Sequence, residues 1–418
     1  MKQRLLLFIL SLCLLTVRLE AAQPIVVSHD SIRLSLLTCA AGEEIYSLFG
    51  HTAIRYENNT RGIDVVFNYG IFNYDVPYFA LRFALGETDY RMGAIEYDRF
   101  IKEYAEEHRD VWQQVLNLRQ DEKEQLVDAL LENYRPENQL YRYNIFYNNC
   151  ATRPRDRIEA AVDGSVLYAD DMSTTDTDIT FRSLVYRYTE QHLWSRLGID
   201  LCLGLPADQP ISRRTMMFVP FYVRDFFAQA HIVDNPDLST AGIDTTESID
   251  LIGMSRPLVS EEETLLSVAP LPGTWTDCFT PMRTFLLVLL LVVVMTVYGI
   301  LTRRSLWGID LFLFFVFGGV GCVIAFLVFF SHQPTVSPNY LLLVFHPLHL
   351  LLLPHLYNKV SKKKLSWYFV LVGVILTLFI ALSAGIPQKI NVAVLPLAAC
   401  LPVRAVSNII LSYRRNGR

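Results

Sequence analysis

The sequence predicts an exported domain of the α+β class followed by an all-α membrane domain of about five transmembrane helices. Hydrophobic residues make up 52% of the 418 residues, more than a soluble domain ordinarily contains. The apolar surplus lies at the two ends of the chain, whereas the part between them has the helical and alternating periods of a folded domain. We therefore divide the chain into a signal peptide at 1–22, an exported domain at 23–278 and a membrane domain at 279–418.

The start of the chain has the pattern of a secretory signal peptide. Lys2 and Arg4 precede an apolar run from Leu5 to Val17, and the small residues Ala21 and Ala22 follow. This pattern predicts export and cleavage near the small residues. An uncleaved signal anchor is the alternative.

The membrane domain is predicted from five apolar runs, each near the length of about 20 residues that a helix needs to cross the hydrocarbon core. They are Pro281–Leu301, Leu306–Phe330, Tyr340–Leu356, Trp367–Ala384 and Val392–Leu411. Prolines inside the third and fifth runs predict kinks there.

Basic residues follow the first, third and fifth apolar runs. Arg303 and Arg304 follow the first run, Lys362–Lys364 the third, and Arg414 and Arg415 the fifth. The positive-inside rule therefore places these connections and the C-terminus in the cytoplasm, and the exported domain in the periplasm. The signal peptide gives the same orientation, so we predict a multi-pass protein of a bacterial inner membrane.

Two strand-like segments in the exported domain are joined by a polar turn. Thr52–Tyr56 and Ile63–Tyr69 read as strands, and Asn58–Gly62 has the composition of a turn. His51 then stands at the start of a hairpin, where a core histidine is the structural alternative to a catalytic one. In this pairing Asn68 shares a face with His51 and reaches its ring.

The segment before His51 has the apolar spacing of a helix over Glu43–Phe49. Glu44 and Ser47 would lie one to two turns before His51, which makes them candidates for lining a cleft beside it. An acidic residue in a first turn that only complements the helix dipole is the alternative.

A short polar run, Tyr147–Pro154, ends a tyrosine-rich segment and opens a helix. Because unpaired backbone N–H groups and the helix dipole favour an anion there, the thiol of Cys150 is predicted to ionise more easily than a free thiol. This is a suitable environment for a nucleophile. Asn148 and Asn149 are candidates for holding an oxyanion, and Arg153 for binding a substrate phosphate.

The cysteines of the exported domain limit the kinds of site that the sequence can form. Cys39, Cys150, Cys202 and Cys278 lie in the exported domain without CxxC spacing, so neither a zinc knuckle nor a thioredoxin-type site is predicted. A disulfide between Cys39 and Cys150 is left open by the spacing. A cysteine at a helix start and a distant histidine at a strand start are typical of thiol acyl transfer. We predict no metal, no cofactor and no nucleic-acid partner.

His346 and His349 lie one helical turn apart in the third apolar run, where polar residues are uncommon. A metal site or a proton path is one interpretation. No carboxylate accompanies them, and Asp310 is predicted near the opposite side of the membrane. We therefore favour helix packing or the lining of a lipid groove.

Several of these blocks resemble known families. Phe49–Ile54 and Asn149-Cys150 are similar to the histidine strand and the nucleophile turn of the circularly permuted NlpC/P60 branch of papain-like enzymes, which includes the lecithin:retinol acyltransferase type. A closer resemblance is to the Bacteroidetes lipoprotein N-acyltransferase (Lnb) family, in four blocks: Leu36–Arg55, Val66–Gly70, Tyr147–Asp156 and Gly198–Leu201. The layout of the membrane domain agrees with this family.

The resemblance implies a permuted papain-like exported domain that moves a fatty acyl chain from a phospholipid to the N-terminal amine of a diacylglyceryl-cysteine lipoprotein. The chemistry assigns Cys150 as nucleophile, His51 as base and acid, and Asn68 as the residue that orients the imidazole. A membrane-tethered thiol hydrolase, either a phospholipase or a peptidase, is one alternative. A non-enzymatic membrane receptor is the other.

Overall fold

The computed structural model describes residues 31–169, 172–234, 255–269 and 279–416, and the predicted signal peptide lies outside these ranges. Seven antiparallel strands form the central sheet of the exported domain. In sheet order they are β12 (Val259–Leu266), β5 (Val111–Leu116), β1 (Ile32–Cys39), β2 (His51–Asn58), β3 (Ile63–Ile71), β4 (Asp89–Glu96) and β6 (Leu140–Arg142). With the helices around it, this sheet gives the predicted mixture of α and β structure.

Two small sheets and eight α-helices complete the described part of the exported domain. The small sheets are β11 (Arg256–Pro257), β10 (His231–Val233) and β7 (Ser165–Leu167), and β8 (Thr175–Thr180) with β9 (Pro210–Ser212). The helices are α1 (Phe79–Leu85), α2 (Tyr97–Glu106), α3 (Gln120–Tyr134), α4 (Thr152–Ala161), α5 (Phe181–Tyr188), α6 (Leu193–Cys202), α7 (Arg213–Met216) and α8 (Pro220–Ala228).

Helices cover both faces of the central sheet. Strand residues such as Leu36 and Ile54 pack with α3, α4 and α8 on one face, and Leu37 and Ala53 pack with α2 on the other. Because successive side chains of a strand point to opposite faces, neighbours in sequence belong to different cores. Both faces being buried explains why β1 and β2 are nearly continuous runs of buried residues.

The predicted hairpin is present. β2 pairs with β3 from Asn58 opposite Ile63 to Ala53 opposite Asn68. The predicted helix over Glu43–Phe49 is wrong, because this segment forms consecutive turns in which the carbonyl of Ser47 accepts two backbone N–H groups. Leu48 is buried in these turns and Phe49 is half-buried, whereas Ile45 is 56% exposed, so the segment does not present one apolar face as a helix would.

Four helices of the membrane domain are long and apolar enough to span a bilayer. They are α9 (Pro281–Leu301), α10 (Trp307–Phe330), α13 (Trp367–Leu382) and α14 (Val394–Asn416). The third predicted span is bent by 76° between residues 340–351 and 353–360, so it counts as a fifth span only if the bent pair is taken together. Its parts are a 3-10 turn at Tyr340–Leu343, α11 (Leu348–Leu351) and α12 (Leu353–Val360), and the prolines predicted to kink this run lie at the starts of α11 and α12.

A buried ion pair joins three of the membrane helices. Arg404 on α14 contacts both carboxylate oxygens of Asp310 on α10, at 2.6 and 3.1 Å, and the hydroxyl of Thr296 on α9 at 3.0 Å. An unpaired charge at this position would be costly, so the pair fixes which faces of the helices meet.

A second buried guanidinium organises the segment of the exported domain that meets the membrane domain. Arg182 is 1% exposed and forms ion pairs with Asp200 and with Asp208, the latter at 2.9 Å. Its remaining N–H groups donate to the carbonyls of Leu203 and Gly204 at 3.0 and 3.1 Å. These bonds hold the chain from the end of α6 to β9 in one shape.

This segment binds both outer loops of the membrane domain. The amide of Asn391 donates to Asp200 at 2.9 Å, and the N–H of Gly204 donates to the carbonyl of Thr335 at 2.8 Å. A side chain at Gly204 would lie 2.3 Å from the carbonyl of Pro338, so only glycine fits against this loop. The two domains are therefore docked through specific polar contacts as well as through the linker between them.

We expect Arg182→Met to destabilise the protein by about 3–5 kcal/mol, because it leaves Asp200 and Asp208 buried without their partner. Thermal unfolding in lipid nanodiscs measures the loss. Arg196→Met is the matched control, since Arg196 donates to the neutral acceptors Tyr186 carbonyl and Thr189 hydroxyl. Equal losses in the two variants would contradict a special role for the buried ion pairs.

Candidate active site

At the end of the β2–β3 hairpin, next to Cys150, strand β3 stops pairing regularly with β4. The pairing of β3 with β4 is interrupted between Asn68 and Ile71, and Gly70 in this bulge has a φ of +94°. A Cβ at Gly70 would lie 3.3 Å from the Cβ of Cys150. The bulge and the absence of a side chain at Gly70 thus let the turn that carries Cys150 lie directly against the strand.

The turn that carries Cys150 is held by Asn149. Its side-chain oxygen accepts the N–H groups of Ala151 and Thr152, each at 2.9 Å, and its NH₂ donates to the carbonyls of Ile145 and Phe218, each at 2.8 Å. All the hydrogen-bonding capacity of this buried amide serves the turn. Asn149 is therefore a positioning residue, and helix α4 begins at Thr152, two residues after the thiol, and not at Cys150 as the sequence suggested.

Asn148 and Arg153, the other two candidates in this turn, are hydrogen-bonded to each other. Asn148 donates to the carbonyl of Arg142 at 2.7 Å and accepts from Arg153 at 2.8 Å. The guanidinium of Arg153 also lies over the ring of Tyr141, 3.9 Å from its centroid. These contacts brace the turn from its outer side.

His51 and Asn68 meet as the pairing predicted. Nε2 of His51 lies 3.0 Å from Oδ1 of Asn68. Because an amide oxygen only accepts hydrogen bonds, Nε2 carries the proton of the neutral ring and Nδ1 has a free lone pair. The contact therefore prepares Nδ1 to accept a proton.

Cys150 lies beside the strand residue that follows His51. The backbone N–H groups of Thr52 and of Cys150 itself are close enough to Sγ to favour the thiolate, which places the sulphur at the start of β2. Among the described residues no hydrogen bond joins Sγ to the ring of His51. The sulphur therefore lies one residue along β2 from His51, and a hydrogen bond between the two side chains is often completed only when a substrate binds.

The expectation of an easily ionised thiol is wrong. Burial raises the pKa of the Cys150 thiol from 9.0 to about 11, and this outweighs the nearby N–H groups and the charge of Arg109. Burial likewise lowers the pKa of His51 to about 4, although the bond to Asn68 favours its protonation. At neutral pH the pair consists of a neutral thiol and a neutral imidazole.

The sequence reasoning did not identify Arg109, which lies in the loop between α2 and β5. Its side chain is 6% exposed, donates to the carbonyl of Ala40 at 2.8 Å and to Glu107 at 2.7 Å, and stacks over Tyr104. Its Nη2 is buried and lacks a partner among the described residues. Its positive charge lowers the pKa of both Cys150 and His51. No motif marks this loop arginine; only the fold brings it to the site.

Comparison with known protein families gives two matches. Residues 26–185 match the model described as the Lnb N-terminal periplasmic domain, and residues 274–416 match the model described as the Lnb transmembrane domain. The chain belongs to the Lnb family. The predicted resemblance to this family is thereby confirmed, together with a periplasmic N-terminal domain and a membrane domain.

No curated protein and no solved structure matches the chain. The permuted papain-like fold and the likeness to NlpC/P60 enzymes therefore stay predictions for this Lnb member.

The remaining candidates differ in burial, and Ser47 and Cys39 are buried whereas Glu44 is exposed. Ser47 is buried and its hydroxyl donates to the carbonyl of Glu44 at 2.9 Å, while the Glu44 carboxylate is exposed on the loop before His51. Cys39 is directly opposite His51 in the pairing of β1 with β2 and is a fully buried, free thiol, so the structure contains no disulfide between Cys39 and Cys150. Burial raises the pKa of Cys39 to about 12.

The two histidines of the third apolar run are used in packing. Nδ1 of His349 lies 2.7 Å from the hydroxyl of Tyr368, and Nε2 lies 3.2 Å from the carbonyl of Val344. Nδ1 of His346 accepts the N–H of Leu348 at 3.1 Å. Within the described ranges no three His, Cys, Asp or Glu side chains are arranged to hold a metal ion.

Alkylation of Cys150 by iodoacetamide should increase steadily with pH up to about pH 10. A thiol reacts as thiolate, and raising its pKa from 9.0 to about 11 leaves roughly 100-fold less thiolate at pH 8. Mass spectrometry of the Cys150 peptide measures the rate. A plateau at neutral pH would instead reveal a resting thiolate–imidazolium pair.

Arg109→Gln should make the same alkylation slower at pH 8, by roughly 3- to 10-fold, because removal of the positive charge raises the pKa of Cys150 further. It also raises the pKa of His51, so the acidic limb of the activity profile moves to higher pH. Arg109→Lys keeps the charge and should keep the profile. If both variants behave alike, Arg109 acts through its hydrogen bonds and not through its charge.

Proposed function

We propose that this chain is a lipoprotein N-acyltransferase that carries a fatty acyl chain from a phospholipid, through a thioester on Cys150, to the N-terminal amine of a diacylated lipoprotein. Membership of the Lnb family supports the reaction class. The observation that carries the residue assignment is the position of Cys150 against the strand start whose His51 is oriented by Asn68.

In the first half-reaction, Sγ of Cys150 attacks the ester carbonyl carbon while Nδ1 of His51 accepts the thiol proton. A neutral pair supports this general-base route, in which deprotonation accompanies the attack. The carbonyl oxygen becomes an oxyanion, for which we assign the backbone N–H groups of Thr52 and Cys150 as donors. The C–O bond then breaks, and His51 returns the proton to the departing lysophospholipid.

In the second half-reaction the deprotonated amine of the lipoprotein attacks the thioester carbon. The C–N bond forms, the C–S bond breaks, and the second amine proton passes through His51 to the thiol. One proton is released overall, because the amine enters as an ammonium group. The proximity of the bilayer supports aminolysis over hydrolysis, since it limits the access of water.

The position of the domain supports substrates that are held in the membrane. The docking contacts join the exported domain to the outer loops of the membrane domain, so a periplasmic site lies beside the outer leaflet. We therefore propose an inner-membrane enzyme with its C-terminus in the cytoplasm, as the distribution of basic residues indicates. The proposed exported fold is of the permuted papain-like type, with the histidine strand before the nucleophile.

The reaction is tested with purified protein in nanodiscs of long-chain phospholipid and a diacylated lipopeptide as acceptor, followed by mass spectrometry. We expect one added acyl chain on the peptide amine. Cys150→Ser and His51→Ala should lower the rate by about 10³-fold or more, and Asn68→Ala by about 10- to 100-fold.

Two cysteine variants are the controls. Cys202→Ala removes a thiol at the end of helix α6, and Cys39→Ala removes the thiol opposite His51; both should retain N-acylation. Release of free fatty acid without N-acylation would replace the proposal with a phospholipase. Unchanged N-acylation in Cys150→Ser would refute the thioester.

A further inference from the structure

An exposed apolar segment lies beside the site. Tyr74 and Tyr78 are 61% and 79% exposed, and Leu81 and Phe83 on helix α1 are 47% and 39% exposed. Aromatic and aliphatic side chains grouped in one short segment are uncommon on a surface that faces only water. They are typical of segments that lie at a membrane interface.

Contacts with the membrane domain fix the height of this segment. The carbonyl of Leu85, the last residue of α1, accepts the N–H of His332 at 2.8 Å. His332 is the second residue after the spanning helix α10, which ends at Phe330. The next outer-loop residue, Gln333, accepts from Asn144 at 2.8 Å. Helix α1 therefore lies at the level where a transmembrane helix leaves the hydrocarbon core.

Aromatic rings connect this segment with the thiol. Successive ring centroids are separated by 6.3 Å from Phe83 to Phe79, 5.7 Å from Phe79 to Phe72, 5.0 Å from Phe72 to Tyr90 and 4.0 Å from Tyr90 to Tyr143. We call these five side chains the aromatic ladder. At its inner end, burial raises the pKa of Tyr90 and of Tyr143, and a negative charge on nearby Cys150 raises both further.

We propose that residues 74–85 insert into the outer leaflet and that the aromatic ladder binds one acyl chain of a membrane phospholipid, with its ester carbonyl at Cys150. The inference rests on the proposed function for the identity of the lipid as acyl donor. A phospholipid fits because the outer end of the ladder lies at the membrane surface and its inner end at the nucleophile. Phe83 is exposed and Phe79, Phe72 and Tyr143 are half-buried, so these rings offer apolar area to an alkyl chain. Tyr90, which links Phe72 to Tyr143, is buried.

A charge placed on the segment tests its contact with the bilayer. Leu81→Glu should lower acyl transfer from a long-chain phospholipid in nanodiscs by about 10-fold, because a carboxylate opposes insertion. With dihexanoyl phosphatidylcholine, which is soluble as a monomer, the rate should change by no more than about 2-fold. Equal losses with both donors, or no loss with either, would overturn insertion of the segment.

Leu131→Glu is the matched control for that variant. Leu131 is 49% exposed on helix α3, which packs on the sheet of the exported domain, and its substitution introduces the same charge. The control should leave the rates with both donors unchanged. A loss in the control equal to that of Leu81→Glu would show a general effect of surface charge and overturn the inference.

Photo-crosslinking tests the ladder without requiring catalysis. Phospholipids that carry a diazirine near the carbonyl or near the chain end are bound to the Cys150→Ser protein in nanodiscs and irradiated. The first probe should label Tyr90 or Phe72, and the second Phe79 or Phe83. Labels confined to the membrane-spanning helices, or independent of the diazirine position, would overturn the ladder as the acyl site.

The two proposals fail in different ways. Ladder labelling without any N-acylation by the wild type would refute the proposed function and retain the lipid site. N-acylation with labels elsewhere would refute the lipid site and retain the function.

Discussion

The position of the site depends on the buried guanidinium of Arg182 and its two carboxylates. Removing these charges from water is costly, and the cost is offset because Asp200, Asp208 and two backbone carbonyls occupy the donors of Arg182. The second oxygen of each carboxylate accepts from the membrane domain, at Asn391 and at the N–H of Lys389. One buried charge cluster thus shapes the chain from the end of α6 to β9, which we call the docking segment. The same cluster provides hydrogen-bond acceptors to the outer loop that contains Lys389 and Asn391. Exact complementarity of this kind holds a domain at one height and one orientation, which contact between apolar surfaces alone does not ensure.

A neutral thiol suits an enzyme that works in the periplasm. Disulfides form readily there, and thiolates are the species that react to form them. Cys39 and Cys150 are close enough for their charges to interact, yet burial raises the pKa of both. Raised pKa values leave less of each thiol as the thiolate that forms disulfides. In the proposed mechanism a neutral Cys150 needs His51 for deprotonation at each attack, and the contact of His51 with Asn68 is therefore essential to that mechanism.

Sequence patterns predicted the features that depend on local order. Turn position and alternation placed Asn68 beside His51, and hydropathy located four of the spans.

Sequence patterns failed to predict features that depend on contacts between distant parts of the chain. Glu43–Phe49 has the apolar spacing of a helix but forms turns that are closed by hydrogen bonds to the Ser47 carbonyl. The sign of the Cys150 pKa shift depends on desolvation that no local motif reports. Arg109 comes from a loop whose approach to the site requires the pairing of β5 with β1. Strand β12 was not predicted from the sequence. It is an edge strand with exposed acidic residues, and such charges prevent further pairing.

The membrane domain contributes more than an anchor. Its outer loop at residues 331–339 binds the end of α1, the chain before Cys150 at Asn144, and the docking segment at Gly204. These three contacts hold the exported domain at separate points, one of them in the chain just before Cys150, and therefore fix both its distance from the bilayer and its orientation. A single transmembrane span would fix only the distance of the exported domain from the bilayer. The proposed transfer joins two substrates that are each held in the membrane, so their reacting groups arrive from one plane and the thiol must face that plane throughout both steps. A multi-helix domain with structured outer loops meets this requirement, which accounts for an architecture larger than tethering demands.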